Sequence, residues 1–170
     1  MKKLVSVVLA ILMLSTLISC NLGDAIEDKL EEKEFTADSM TITLHEGFVD
    51  SGLEGFTASW IYNKTSVFAI KEDFSKLDGY ADINLEEYAD LVLKSNAGKN
   101  PGKIKTEDGL TYFEYDFVNE DVNIEYSYLT VLYSEGNGVY WMVQFSTVKK
   151  DYDARRDTFI KWAKSVEFAD

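Results

Sequence analysis

Cys20 is the only cysteine in the 170 residues, and it stands at the end of an apolar segment. A single thiol cannot form an internal disulfide, so four roles are open to it: a small buried hydrophobe, a nucleophile, a metal ligand or an attachment point. The preceding sequence, MKKLVSVVLAILMLSTLIS, has the form of a signal peptide, because two lysines precede a long apolar run. These residues therefore decide the role of Cys20.

The apolar run from Leu4 to Leu17 is too short to cross a membrane comfortably. As a helix it would be about 21 Å long at ~1.5 Å per residue, whereas the hydrocarbon core is ~30 Å thick. Residues 1–19 are therefore predicted to be an export signal that is removed.

Leu17, Ile18, Ser19 and Cys20 resemble the lipobox of bacterial lipoproteins. The resemblance implies a diacylglyceryl group on the Cys20 sulfur, cleavage before Cys20 and acylation of the new amino terminus. Two acyl chains, at ~0.8 kcal/mol per buried CH₂, would anchor the protein to the extracytoplasmic face of the cell membrane. Asn21, where inner-membrane retention favours aspartate, indicates the outer membrane if the host is Gram-negative. The alternative is an unmodified cysteine in a cleaved or buried segment.

Cleavage before Cys20 leaves 151 residues, the length of one domain. Without Lys2 and Lys3 the chain has 15 basic and 30 acidic residues, a net charge of −15. Such a charge repels phosphate backbones and anionic lipid surfaces, so we expect no nucleic-acid partner. We predict a lipidated, charged linker over residues 20–34 and one domain over residues 35–170, since aromatic residues begin at position 35.

Other residues offer little chemistry. His45 is the only histidine and has no triad or zinc motif around it, so an exposed or capping histidine is expected. Oxygen ligands that could suit calcium cluster between a predicted strand and helix, but Gly79 falls at position seven from Asp73, whereas the EF-hand requires position six. Weak calcium binding and a solvated loop both stay open for this cluster. Its members are Asp73, Asp78, Asp82, Asn84, Glu86 and Glu87. We predict no catalytic residue, no metal site and no cofactor.

Seven strands are predicted from short runs of alternating apolar residues. They cover residues 40–44, 56–62, 66–72, 104–106, 110–117, 124–134 and 139–147. Asp108-Gly109 and the Gly136-Asn137-Gly138 sequence mark tight hairpin turns, which indicate a mostly antiparallel sheet.

Two helices interrupt the strands. Asn84 is a predicted N-cap with Glu87 bonding back to it, and a second helix is predicted to begin near Asp151. The expected core face of the first is Leu85, Tyr88, Ala89, Val92 and Leu93. That of the second is Phe159, Trp162, Ala163 and Val166. Because strand 124–134 is apolar on both faces, we predict an α+β fold: an α/β/α sandwich whose central, mostly antiparallel sheet of about seven strands is flanked by two main helices.

The second half of the chain, from DGLTYFEYDF through YSYLTVLYSEGNGVYWMVQFSTVKKDYDARRDTFIKWAKSVEF, resembles the PsbP-like fold family. That family contains a photosystem II extrinsic protein, relatives of a Ran-binding import factor and many bacterial lipoproteins. The resemblance covers residues 35–168 and rests on an aromatic hairpin and an F-x-x-W-A-x-S-x-x-F helix from Phe159 to Phe168. It implies a binder, assembly factor or scaffold rather than an enzyme, and it transfers no site residue.

Three functions remain open. The first is a non-catalytic binding or assembly module at the cell envelope with a protein partner, and we place it first. The others are an extracytoplasmic hydrolase with paired carboxylates and a carrier of a small apolar ligand. Aromatic residues are abundant, and four tyrosines are the best candidates to line a surface groove. They are Tyr112, Tyr126, Tyr128 and Tyr140.

Overall fold

The computed structural model describes residues 30–169, which form two sheets and two α-helices. The predicted signal peptide and Cys20 lie outside the described residues. The strands are β1 (Glu32–Ala37), β2 (Met40–His45), β3 (Val49–Asp50), β4 (Ala58–Tyr62), β5 (Thr65–Asp73), β6 (Lys105–Glu107), β7 (Leu110–Asn119), β8 (Ile124–Gly136), β9 (Val139–Val148) and β10 (Glu167–Phe168). The helices are α1 (Leu85–Ser95) and α2 (Lys149–Lys164), and a short 3-10 helix spans Ala97–Lys99.

The larger sheet has seven strands in the order β3-β4-β5-β9-β8-β7-β6, and every neighbouring pair is antiparallel. Two of its hairpins turn where the sequence predicted. Asp108 and Gly109 have φ angles of 53° and 81°, and Asn137 and Gly138 have φ angles of 52° and 78°. Two consecutive left-handed residues give the turn that matches the twist of the paired strands, which explains these residue types.

Gly138 also permits a close contact with the loop that leads from β5 to α1. A Cβ atom at this position would lie 3.1 Å from the backbone of Ser75 and 3.2 Å from the carbonyl oxygen of Ala81. The Phe74 N–H donates a hydrogen bond of 2.9 Å to the carbonyl of Gly138. The loop therefore packs directly on the β8–β9 turn.

Strand β8 is buried on both sides of the sheet, as its sequence predicted. Leu129 and Val131 point to one face and Leu132 to the other. We call the first the α2 face, because α2 and the smaller sheet pack on it. The second is the α1 face, which α1 covers. The predicted α+β sandwich, with a helical layer on each side of a mostly antiparallel sheet, is confirmed.

The α2 face is covered by two elements. Helix α2 buries Phe159, Trp162 and Ala163, and the Phe159 ring stacks on Phe145 of β9 with 5.7 Å between ring centroids. A three-stranded sheet in the order β1-β2-β10 packs on the same core. It contributes three fully buried side chains from β2, which are Met40, Ile42 and Leu44.

Helix α1 begins with the predicted capping box. The Glu87 N–H donates to Asn84 Oδ1 at 3.0 Å, and the Asn84 N–H donates to Glu87 Oε2 at 2.9 Å. The Tyr88 ring stacks on Tyr140 with 4.6 Å between centroids, and the Tyr88 hydroxyl donates to Glu72 at 2.6 Å. These contacts fix α1 over one end of the α1 face.

Helix α1 has 11 residues and covers its face incompletely. Farther along the same face, large rings stay half-buried because no element of residues 30–169 seals them. These rings belong to Phe56, Phe68, Phe117, Tyr126 and Tyr128.

Three strands were not predicted, namely β1, β3 and β10. β1 begins at Glu32, inside the segment expected to be a linker, because pairing with β2 orders a charged sequence that has little apolar periodicity of its own. β3 and β10 have two residues each, too few to show alternation. Helix α2 begins at Lys149 rather than near Asp151, and Val166 follows the helix but packs on the same core.

The capping box gives a testable prediction for the fold. Asn84→Ala removes the side-chain acceptor for the first turn of α1, so we expect the free energy of unfolding to fall by about 1 kcal/mol. Asp90→Asn, an exposed position in the same helix, should change it by less than about 0.5 kcal/mol. Urea unfolding followed by circular dichroism measures both. Equal losses in the two variants would contradict the role of the cap.

Candidate functional site

Two neighbouring carboxylates of β7, those of Glu114 and Asp116, are held by structural partners. Glu114 of β7 points to the α2 face and accepts hydrogen bonds from the Tyr152 hydroxyl (2.6 Å), Arg156 Nε (2.8 Å) and Lys105 Nζ (3.2 Å). Burial raises the pKa of Glu114, but these donors outweigh burial and hold the pKa below its ordinary value. Glu114 is therefore an ionised acceptor that ties α2 to the sheet.

Asp116 lies two positions farther along β7 and has its own donors, Ser127 Oγ at 2.6 Å and Lys149 Nζ at 3.0 Å. Its pKa is also lowered, because these partners outweigh the effect of burial. Acid–base catalysis by two carboxyl groups requires environments that push their pKa values apart, so that one stays protonated. Glu114 and Asp116 are both shifted downward, which does not fit such a pair.

A serine and a lysine meet on the α2 side, at the turn between β1 and β2. Lys71 Nζ lies 2.8 Å from Ser39 Oγ, and it also contacts Glu135 (3.2 Å) and Asp38 (3.3 Å). Burial lowers the pKa of Lys71, but the two carboxylates raise it above its ordinary value. A protonated ammonium cannot accept the serine proton, so this group cannot activate Ser39 as a nucleophile. The Trp141 Nε1–H also donates to Glu135 at 2.7 Å, and the whole cluster fastens the small sheet to the large one.

The expectation of an exposed or capping His45 was wrong. The side chain is only 6% exposed, and its ring lies 4.3 Å from the centroid of Tyr62 and 4.5 Å from that of Phe48. Trp162 of α2 completes this aromatic cluster at 5.7 Å. His45 ends β2 between the small sheet and α2, and this long-range packing buries it.

The acidic loop gives no cation-binding geometry. Asp73 accepts from the backbone N–H and the hydroxyl of Ser75, which lowers its pKa, while Asn84 and Glu87 serve the capping box. Within residues 30–169, no group of three or more His, Cys, Asp or Glu side chains could hold a metal ion.

The groove expected from four tyrosines does not form as a unit. Tyr112 and Tyr140 are each 3% exposed and lie on opposite faces, so they belong to the core. The Tyr112 hydroxyl donates to Glu107 at 2.9 Å, and the Tyr140 hydroxyl donates to the carbonyl of Ile83. Alternation along a strand cannot distinguish a sealed face from an open one, which is why these two were misjudged.

Tyr126 and Tyr128 do lie on the open part of the α1 face. Tyr128 stacks on Tyr115 with 4.8 Å between centroids and an interplanar angle of 2°, and Tyr126 is paired across the strands with Phe117. Phe56 and Phe68 form a second stack at 4.8 Å. We call this surface the aromatic face; its rings are those of Phe56, Phe68, Tyr115, Phe117, Tyr126 and Tyr128.

A buried polar group lies beneath these rings. Gln144 of β9 is 1% exposed, and its Nε2 donates to the Tyr115 hydroxyl (3.2 Å) and to Thr130 Oγ1 (3.1 Å). Burial raises the pKa of Tyr115 and that of Tyr128, the latter to about 12, so both phenols stay neutral at physiological pH. The buried Gln144 side chain, which is polar and neutral, therefore lies at the centre of the sheet, where apolar side chains are usual.

Lys99 stands at the rim of the aromatic face, at the end of the 3-10 helix. Its Nζ lies 4.9 Å from the ring centroid of Tyr115, 5.8 Å from that of Phe117 and 3.4 Å from the Tyr115 hydroxyl. Burial alone lowers the pKa of Lys99, and none of the ion pairs within residues 30–169 includes it.

The arrangement offers contacts to a flat, apolar or anionic group. A partly desolvated ammonium held against two rings attracts an anionic group, and the half-buried rings offer contact area for apolar or flat groups. Sequence reasoning missed Lys99 and Gln144. Lys99 follows the end of a predicted helix and Gln144 lies in an ordinary strand, so neither stands in a motif that could have revealed it.

The sequence matches no known protein-family profile, and no curated protein matches it significantly. Solved structures are similar in fold. The Ran-binding protein Mog1p of Saccharomyces cerevisiae has a TM-score of 0.54 at 9% identity, covering 84% of this chain and 97% of Mog1p. A Bacteroides thetaiotaomicron protein has a TM-score of 0.51 at 15% identity, covering 81% of this chain but 48% of its own, so the similarity spans about half of that protein. The cyanobacterial PsbP protein CyanoP of Synechocystis has a TM-score of 0.48 at 18% identity, covering 90% of this chain and 99% of CyanoP.

The charged contacts of Glu114 predict a pH dependence of stability. Its folded-state pKa lies below the ordinary 4.5, so its contribution is complete above that value and is lost as the pH falls through the folded-state pKa. Glu114→Gln should lower the free energy of unfolding by about 1–3 kcal/mol at pH 7. The gap from the unaltered protein should shrink as the pH falls below the ordinary pKa of 4.5 and through the lower folded-state pKa.

Chemical denaturation at a series of pH values measures this gap. Glu120→Gln, at an exposed turn position, is the matched control and should leave the pH profile unchanged. A gap for Glu114→Gln that stays constant with pH would show that the carboxylate charge is not what holds α2.

Proposed function

We propose that this chain is a lipid-anchored, extracytoplasmic binding module that recruits a protein partner of the cell envelope through its aromatic face. The observation that carries the proposal is Lys99, a cation with no acidic partner among residues 30–169, whose ammonium group lies over Tyr115 and Phe117 at the rim of the aromatic face. Such a surface gains free energy when a partner covers the rings and supplies a negative group.

A non-catalytic role is supported by the state of the reactive groups. Glu114, Asp116 and Lys71 each hold elements together, and their pKa values are shifted toward the charged forms. The yeast protein with a similar fold is described as Ran-binding, so this architecture is compatible with recognition of another protein. The aromatic face adds neutral phenols and the ammonium group of Lys99, which suit contact with a partner.

The membrane anchor is proposed on the sequence of the first 20 residues. A signal peptide over residues 1–19 and lipid on Cys20 would place the domain outside the cytoplasm, in the outer membrane if the host is Gram-negative. Within residues 30–169 no helix is long and apolar enough to cross a membrane. A net charge of −15 after cleavage disfavours nucleic acid as a partner and contact with anionic lipid.

Substitution of the cysteine tests the anchor. Cys20→Ser removes the sulfur that would carry the lipid, so the protein should leave the membrane fraction and lose labelling by an alkyne palmitate analogue. Ser6→Ala, in the same apolar segment, should retain both. Membrane fractionation with in-gel fluorescence measures the outcome, and a Cys20→Ser protein that stays labelled and sediments with membranes would contradict the anchor.

Substitution of the lysine tests the recognition surface. Lys99→Met keeps the length of the side chain but removes its charge, so capture of the partner from native membranes should fall about tenfold or more. Thermal stability should be unchanged or higher, because a desolvated charge has been removed. Lys103→Met, at a nearby exposed position, should capture as well as the unaltered protein. Quantitative mass spectrometry of cross-linked pull-downs measures this, and undiminished capture by Lys99→Met would overturn the proposed surface.

A further inference from the structure

Strand β7 has an outer edge that is open beyond Glu114. β6 pairs with β7 only from Leu110 to Tyr112, and the Gly102 N–H then donates to the Glu114 carbonyl at 2.8 Å. β7 continues to Asn119 in register with β8 on its inner side. Among residues 30–169, no strand pairs with the outer side of this last stretch.

Alternation along the strand identifies the open backbone groups. In an antiparallel sheet the N–H and C=O of one residue point to the same side, and the side alternates along the strand. Because the Glu114 carbonyl points outward, Asp116 and Val118 direct their N–H and C=O groups outward as well. The opposite edge of the sheet differs, since β3 covers β4 and the Ser51 N–H donates to the Ser59 carbonyl at 2.8 Å. Proteins usually cover or shorten their edge strands. The open stretch of β7 is therefore a candidate site for pairing with a further strand.

Exposed apolar side chains occur at the same end of the hairpin, with Val118 on the α2 face and Ile124 on the α1 face. Val118 is 46% exposed, Val122 is 42% exposed and Ile124 is 38% exposed. They are three of the four large apolar side chains that stand out as exposed in residues 30–169, the fourth being Val49 on β3. The end of the β7–β8 hairpin therefore combines unpaired backbone groups with uncovered apolar surface.

The two faces beside this edge differ in charge. On the α1 face, Lys99 Nζ lies over the rings of Tyr115 and Phe117 and has no acidic partner within the described residues. On the α2 face, Asp116 already shares Lys149 with Glu125, and Val118 is exposed. A strand laid along the edge would meet an unpaired cation on one side and an apolar side chain on the other.

We propose that an extended segment of a partner protein pairs with the open edge of β7 as an additional strand. The proposal rests on the proposed function and names its mode of recognition. Backbone groups of Asp116 and Val118 supply the hydrogen bonds, as in other cases of strand addition. The segment alternates an acidic residue, which faces Lys99, with an apolar residue, which packs on Val118. Affinity comes from the backbone, and the choice of sequence comes from the two side-chain contacts.

The test is a selection followed by binding measurements on the full chain in detergent. A display library of random linear peptides is selected on the unaltered protein, and we expect the enriched peptides to alternate acidic and apolar residues. The same selection on Lys99→Met should lose the acidic preference but keep the apolar one. Fluorescence anisotropy then measures the affinity of one enriched peptide for each variant.

Proline distinguishes pairing of the backbone from contact with side chains. Val118→Pro removes one outward N–H without breaking the bonds to β8, which lie on the other side of the strand, so binding should weaken about fivefold or more. Val118→Thr keeps that N–H and should weaken binding less than about threefold. Should Val118→Pro unfold, hydrogen exchange in the unaltered protein decides, because the amides of Asp116 and Val118 should become protected when the peptide binds.

Several results would overturn strand addition. In the binding measurements, these are equal affinity of Val118→Pro and Val118→Thr or no protection of the two amides. In the selection, they are no enriched peptide or enrichment of peptides that match this chain's own residues 21–31. Pairing of two copies of this chain through β7 would also overturn it. Loss of partner capture by Lys99→Met with full capture by Val118→Pro would leave the proposed function standing and reject the edge. Full capture by both variants would reject both.

Discussion

The structure depends on one constraint, which is that the central strands of the large sheet are apolar on both faces. Leu129 and Leu132 of β8 point in opposite directions, and each must be removed from water. The two faces of the sheet are covered to different extents. The α2 face receives a 16-residue helix and a second sheet, whereas the α1 face receives an 11-residue helix and a loop. The uncovered remainder of the α1 face is where the aromatic face lies, so the candidate site is a consequence of incomplete coverage.

The charged networks follow from the same arrangement. Elements that cover a sheet from outside must be fixed at their margins, and here charged hydrogen bonds do this. Glu114 and Arg156 fix α2, Lys71 and Glu135 fix the small sheet, and Glu72 accepts from α1. In the first two networks the acids are paired with bases, whereas Glu72 accepts from the Tyr88 hydroxyl and burial raises its pKa. Lys99 differs because, within residues 30–169, its ammonium group lies over two rings and beside a phenol and is in no ion pair.

Local signals made much of this fold predictable. The capping box at Asn84 and the Asp108-Gly109 turn are encoded by neighbouring residues, so they could be read directly. The α+β sandwich followed from alternation on both faces of β8. Features set by distant contacts could not be read in this way. β1 forms because it pairs with β2, and His45 is buried because it packs against α2. Lys99 becomes a candidate site residue only because the 3-10 helix places it beside Tyr115.

The contact at Gly138 affects how the domain unfolds. The β8–β9 hairpin joins neighbouring parts of the chain, so it can form early and without help from α1. The loop before α1 rests on that turn through Phe74 and Ser75. Loop and helix are continuous in sequence and rest on the sheet, so local unfolding can release them as one unit while the strands stay paired. Release of the loop and α1 would expose more of the α1 face and so enlarge the apolar surface next to the aromatic face.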